Sequence, residues 1–201
     1  MSSKPIYFPY GKLEMEYLSK KDKRLAERIA QIGHIDREVT PDLFTALISS
    51  IVGQQCSAKA AVTVWNRLQA CAGVITPQAI AALSEEDIQN CGMSFRKAGY
   101  IHSAARYVRD GTLTMDDLHT LPDHEVCARL TVLPGVGVWT AEMLMIFSLQ
   151  RPNILSWDDL AIRRGLECLY GHKKLTKVQF ERYKKRYTPY ATVASFYLWE
   201  I

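Results

Sequence analysis

The most restrictive feature of this chain is a hydrophobic rhythm at helical spacing that repeats from end to end. In KKDKRLAERIAQIG, residues 20–33, Leu25, Ile29 and Ile32 share one face, charges occupy the other, and Gly33 supplies a stop. TPDLFTALISSIV, residues 40–52, repeats the pattern at Leu43, Leu47, Ile48 and Ile51, behind a Thr40 cap and Pro41. SAKAAVTVWNRLQAC continues it with Ala58, Ala61, Val62, Trp65 and Leu68. Thr76-Pro77 and Ser84 read as further helix starts, the second with acidic residues in its first turn that suit the helix dipole. FRKAGYIHSAARYVRDG closes on Gly111, and four more helical segments follow between residue 140 and the end. No run of alternating strands competes; GTLTM at 111–115 is too isolated to make a sheet. The expectation is an all-α fold of about ten short helices with short loops.

Charge and cysteine usage narrow the class. The chain of 201 residues has 25 basic and 21 acidic side chains, a net charge of +4, which permits an anionic partner without demanding one. Cys56, Cys71, Cys91, Cys127 and Cys168 are scattered and odd in number, with no C-x-x-C and no Cys/His cluster spaced for zinc or iron–sulfur. They read as free thiols in a reducing compartment. MSSKPIYFPYGKLEMEYL has no continuous apolar stretch of the signal-peptide kind, and no run approaches the length of a membrane span. A cytoplasmic protein that makes no use of membranes is expected, nucleoid-associated in a bacterium.

The stretch LPGVGVWTAEML, residues 133–144, raises a sharper question. Gly135 and Gly137 permit positive φ and close approach of another backbone or a ligand. Their amides, with those opening the next helix, would present donors to an anion, phosphate above all. HEVCARLTVL supplies a preceding helix, so the unit reads as helix–hairpin–helix at about 123–149. Any Pro-Gly turn between helices can look like this, and spacing alone does not choose.

LPGVGVWTAEML together with NILSWDDLAIRRGL, IVGQQCSAKAA and PYATVASFYLW resembles the helix-hairpin-helix (HhH-GPD) DNA glycosylase superfamily, from about residue 40 to the C-terminus. The resemblance implies a single glycosylase domain over 1–201, built as two small helical lobes with the active-site cleft between them. It also implies a hairpin that grips one DNA strand through main-chain amides, here Gly135, Val136, Gly137 and Thr140. A sodium or potassium ion would sit on the carbonyls of Thr131, Leu133 and Val136, with no other cofactor required. Bifunctional members carry a nucleophilic lysine two residues past the second glycine; this chain has Trp139. The iron–sulfur members cluster four cysteines after the aspartate, where this chain has only Cys168. What remains is similar to the 3-methyladenine DNA glycosylase II branch, without that branch's N-terminal sheet domain, for which there is no room before residue 40.

The resemblance then assigns roles. The implied reaction is monofunctional hydrolysis of the N-glycosidic bond of an alkylated purine flipped from duplex DNA by a monomeric enzyme. Asp159 aligns with the family's aspartate and would stabilise the sugar cation; its plain alternative is a helix N-cap. Asp158 is read as structural. Trp139 and Trp199, with Tyr190 and Met143 as lesser candidates, would line the base pocket and attract a cationic ring; their plain alternative is core. Gln54 and Gln55 fall where the family inserts a wedge into the base stack, with Gln55 at the wedge position. Arg96, Lys97 and Arg163 or Arg164 are read as phosphate contacts, and HKKLTKVQFERYKKRY as either a solvated face or a further contact. A glycosylase of other base specificity and a non-catalytic HhH DNA-binding module stay open as alternatives.

Overall fold

The computed structural model describes residues 4–201, whose regular structure is almost entirely helical. The chain divides into two compact units: residues 1–39 with 145–201, and residues 40–144.

The first unit opens with strand β1 (Ile6–Tyr7), helices α1 (Lys12–Lys21) and α2 (Lys23–Ile32), and strand β2 (Glu38–Val39). The strands pair antiparallel, Ile6 opposite Val39 and Tyr7 opposite Glu38. Two residues per strand carry no readable alternation, which is why the pattern passes unseen in the sequence. Asp22 separates α1 from α2: its extended backbone ends one helix while its carboxylate accepts the Arg24 and Leu25 amides at 3.1 Å to start the next. Later in the chain the unit adds α10 (Leu160–Tyr170), α11 (Lys177–Tyr187) and α12 (Ala191–Leu198). All eight residues of α12 are buried, the property of a helix enclosed on every side. Its neighbours are α1, α2, α10 and α11. The approach to α10 is close enough that a Cβ on Gly165 would lie 2.3 Å from the Leu198 carbonyl oxygen, so only glycine fits there.

The second unit holds α3 (Leu43–Gly53), α4 (Ala58–Ala72), α5 (Pro77–Ala82), α6 (Glu85–Asn90), α7 (Phe95–Arg109), a 3-10 turn at Asp116–His119, α8 (Asp123–Leu130) and the first turns of α9 (Val138–Phe147). Its core is Leu47, Ile48, Ile51, Leu68, Ile80, Ile88, Ala98 and Ile101, all fully buried. Thr76, with Pro77 in the first turn, and Ser84 cap their helices as the sequence indicates. Thr40 does not: Asp42 takes that place, accepting the Thr45 amide at 2.7 Å, because Pro41 precedes the true start rather than opening the helix. The segment 111–115 forms no strand. Among the described residues no helix is long and apolar enough to cross a membrane.

Candidate active site and nucleic-acid interface

The hairpin joins α8 to α9 through residues 131–137. Gly135 takes φ +81, and a Cβ there would lie 2.2 Å from the Tyr100 ring, so both conformation and packing exclude a side chain. Gly137 does not use the left-handed region that its glycine permits. A Cβ at Gly137 would meet nothing within 4 Å, which leaves its backbone open to an approaching group. Val136 is buried and donates its amide to the Leu133 carbonyl at 3.1 Å. That bond turns one of the hairpin amides inward. Ala141 bonds back to the Gly137 carbonyl at 3.0 Å, so α9 is under way from its first residue.

Trp139 is the second residue of α9 and is 40% exposed. A core tryptophan is not exposed to that extent. Its indole lines a concavity of about 540 Å³ with Ser50, Gly53, Gln54, Gln55, Gly135 and Thr140. Thr140 is buried and Met143, one turn further along, half-buried. Gln54 is anchored: its side-chain amide donates to the Gly135 carbonyl at 2.9 Å. Gln55 is exposed and holds φ +53, a conformation rare for a residue with a Cβ. Arg96 is exposed in the first turn of α7, whereas the Lys97 ammonium donates to the Val52 carbonyl at 2.9 Å, at the C-terminal end of α3.

In the first unit, Asp159 is 7% exposed and is the N-cap of α10, accepting the Ile162 amide at 2.9 Å. The structure thus bears out the helix cap that the sequence offered for this residue. The loop before it is strapped to α12. Thr192 donates its hydroxyl to the Arg151 carbonyl at 2.6 Å and accepts the Ile154 amide at 2.9 Å, while its own amide bonds the Pro152 carbonyl at 3.0 Å. Ser195 adds a bond to the Ile154 carbonyl at 3.2 Å. Two hydroxyls in an otherwise apolar helix thus set where residues 151–159 run. Asp158 is exposed.

Trp199 caps the C-terminus of α12, half-buried, stacked on Phe147 at 5.7 Å and Phe196 at 5.9 Å, with the Arg37 guanidinium 5.7 Å from its ring centre. A cation of the chain itself already uses this indole. Tyr190 packs edge-on against Tyr17 at 5.1 Å. The Arg163 guanidinium lies 5.3 Å from the Trp157 ring, with a buried Nε that has no hydrogen-bond partner, and Arg164 is exposed.

A model of the HhH-GPD superfamily of base excision DNA repair proteins matches residues 48–189. The chain belongs to that superfamily. It is similar to DNA-3-methyladenine glycosylase 1 of Schizosaccharomyces pombe, 30% identical over 195 residues, which span 94% of this chain and 86% of the relative. Among solved structures it resembles a DNA-3-methyladenine glycosidase from Bacillus halodurans (TM-score 0.86, 35% identity, 97% of this chain and 91% of that one). It also resembles S. pombe 3-methyladenine DNA glycosylase in complex with abasic DNA (TM-score 0.82, 30% identity, 94% and 96%).

As an HhH-GPD protein, the chain has its hairpin, Trp139 and both glutamines gathered within the second unit, and Asp159 and Trp199 within the first. No group of three or more His, Cys, Asp or Glu side chains that could hold a metal occurs among the described residues. The carbonyls that the resemblance names for a cation are compatible with one. Leu133 keeps a lone pair beyond its bond to the Val136 amide, and among the described residues no backbone amide pairs with the carbonyl of Thr131 or Val136. Sequence reasoning missed the Gln54–Gly135 bond and the Thr192–Ser195 strap. Two hydroxyl residues in the apolar run ATVASFYL were the available signal for the strap.

Proposed function

We propose that this HhH-GPD protein is a monofunctional DNA glycosylase that hydrolyses the N-glycosidic bond of alkylated purines, of the 3-methyladenine and 7-methylguanine type, flipped out of duplex DNA. The observation that carries the reading is the residue two places past Gly137: an exposed indole in the wall of a concavity, where a lyase of this kind holds a lysine amine.

A purine alkylated at N3 or N7 carries positive charge and leaves without being protonated. The protein has then to seat a cationic ring and to stabilise the sugar that loses it. Trp139 supplies the electron-rich face, worth roughly 2 kcal/mol or more where water is excluded. Trp199, engaged with Arg37, is the lesser of the two indoles for that role. Asp159 supplies negative charge for the oxocarbenium-like sugar. Its capped, buried carboxylate suits a fixed electrostatic role better than a mobile one. Met143, one turn along α9 from Trp139, is a lesser contact for the cationic ring. Backbone amides of the hairpin hold one strand, Arg96 and Arg163 neutralise phosphates, and Gln55 fills the space the base vacates. A monovalent cation on Thr131, Leu133 and Val136 would stiffen the hairpin and supply no chemistry. The protein acts as a monomer in a reducing compartment, where its five free thiols persist.

The test is base release from duplexes carrying 7-methylguanine, 3-methyladenine, hypoxanthine, uracil or 8-oxoguanine, scored with and without alkali. Release of the methylated purines, with strand breaks only after alkali, is expected. Breaks before alkali would overturn the monofunctional reading, and release from no duplex would leave a DNA-binding module.

A further inference from the structure

Two hydrogen bonds hold the last turn of α3 and the residue that follows it, both within the second unit. From one side, the Lys97 ammonium on α7 reaches the Val52 carbonyl at 2.9 Å, near the end of α3. From the other, the Gln54 amide reaches the Gly135 carbonyl at 2.9 Å, in the hairpin. Tyr100, also on α7, lies against the same Gly135 of the hairpin, with no room for a Cβ. Gln55 follows Gln54 directly at φ +53, its side chain exposed. Left-handed backbone costs a residue with a Cβ about 1–2 kcal/mol, and it persists where the surroundings dictate it.

We infer that Gln54 and Lys97 are positioning residues that clamp this turn to the hairpin and so hold Gln55 at a fixed height beside the strand-gripping amides. This rests on reading Gln55 as the wedge. Inserting a side chain into a base stack while a neighbouring loop grips the backbone needs the two tied together, since a displacement of about 1 Å can lower a rate about a hundredfold. Gln54 commits one amide N–H to a carbonyl inside the protein, which suits a strut. Lys97 likewise commits one ammonium N–H to the end of α3. The clamp joins three pieces of the chain far apart in sequence, which gives the wedge a rigid base that a four-residue turn lacks by itself.

The experiment is a mutant cycle in single-turnover excision of 7-methylguanine from duplex DNA. It uses Gln54→Met (same length, no donor), Lys97→Met, Gln55→Ala and the double variants, with folding checked by circular dichroism and thermal midpoint. Gln54→Met and Lys97→Met are each expected to lower excision from a paired duplex by about ten- to a hundredfold. The loss should shrink to under about threefold when the lesion stands opposite an abasic analogue, where no pair has to be opened. On a Gln55→Ala background neither should lower the rate further, because both act through that side chain. Multiplying losses in the double variants, equal losses on both duplexes, or wild-type rates in Gln54→Met and Lys97→Met would overturn the inference while the glycosylase reading stands. If Gln54→Met fails to fold, the Lys97→Met arm decides alone. An unaltered protein that releases no base from any duplex removes both readings together.

Discussion

Asp159 caps α10, and the proposed chemistry gives it a second job that one substitution can separate. As an N-cap it needs an acceptor oxygen for the Ile162 amide; as a catalytic group it needs charge. Asparagine caps as well as aspartate, so Asp159→Asn should keep stability within about 0.5 kcal/mol while excision falls roughly a hundred- to a thousandfold or more. Thermal melts and single-turnover rates on one preparation check both halves, and near-native excision would take Asp159 out of the chemistry. Asp22 is a second buried carboxylate. Burial pushes its pKa up, but the Tyr170 hydroxyl, the Arg186 guanidinium and the Leu25 amide outweigh that and hold it below the usual carboxylate range. A pKa lowered by folding stabilises the protein above the unfolded value, about 4, and that stability is lost as pH falls through the folded value. Denaturant titrations between pH 7 and 3 should therefore show a steeper loss below about pH 4 in the unaltered protein than in Asp22→Asn. Parallel curves would remove Asp22 from the acid response.

Individual helices matter here for what they hold in place. Enclosed α12 seats Gly165 of α10 against its own last turn and pins the loop leading to Asp159 through Thr192 and Ser195. Gly165→Ala puts a methyl group where the Leu198 carbonyl stands, and the neighbour is backbone, so the two helices must part. A loss of about 1–3 kcal/mol in denaturant unfolding is expected, with excision reduced because α10 carries Asp159 at its start. A variant as stable as the parent would show that the contact yields easily. The hairpin obeys the same logic on a smaller scale: Gly135 is required by Tyr100, whereas a Cβ at Gly137 would meet nothing within 4 Å.

Across the whole chain, the positive charge is unevenly shared. Residues 1–39 and 145–201 contain 18 Lys and Arg against 11 Asp and Glu, while residues 40–144 contain 7 against 10. The unit carrying the hairpin is thus net acidic, and the strand grip proposed for it falls to uncharged amides at short range. Long-range attraction to a polyanion comes from the other unit. Affinity for undamaged duplex should accordingly fall as salt rises. Arg163→Gln should flatten the plot of log affinity against log salt by about 0.9, the share of one neutralised phosphate. An unchanged slope in fluorescence anisotropy titrations would confine Arg163 to its stack on Trp157.

Much of this was legible in the one-dimensional record because the signals are local. Helical period, the Thr76 and Ser84 caps, the Gly33 stop and the Pro-Gly-x-Gly hairpin each act within a turn or two of chain, so neighbours in sequence suffice to read them. The family motifs are equally compact. What only tertiary structure decided lies in pairs distant along the chain: Gln54 with Gly135, 81 residues apart, and Asp22 with Arg186, 164 apart. The same holds for Trp139, exposed in a concavity, and Trp199, taken up by Phe147 and Arg37. Two tryptophans near helix ends look alike as letters. Burial separates them, and burial depends on which distant segments pack around each one, a quantity that no local pattern of side chains contains.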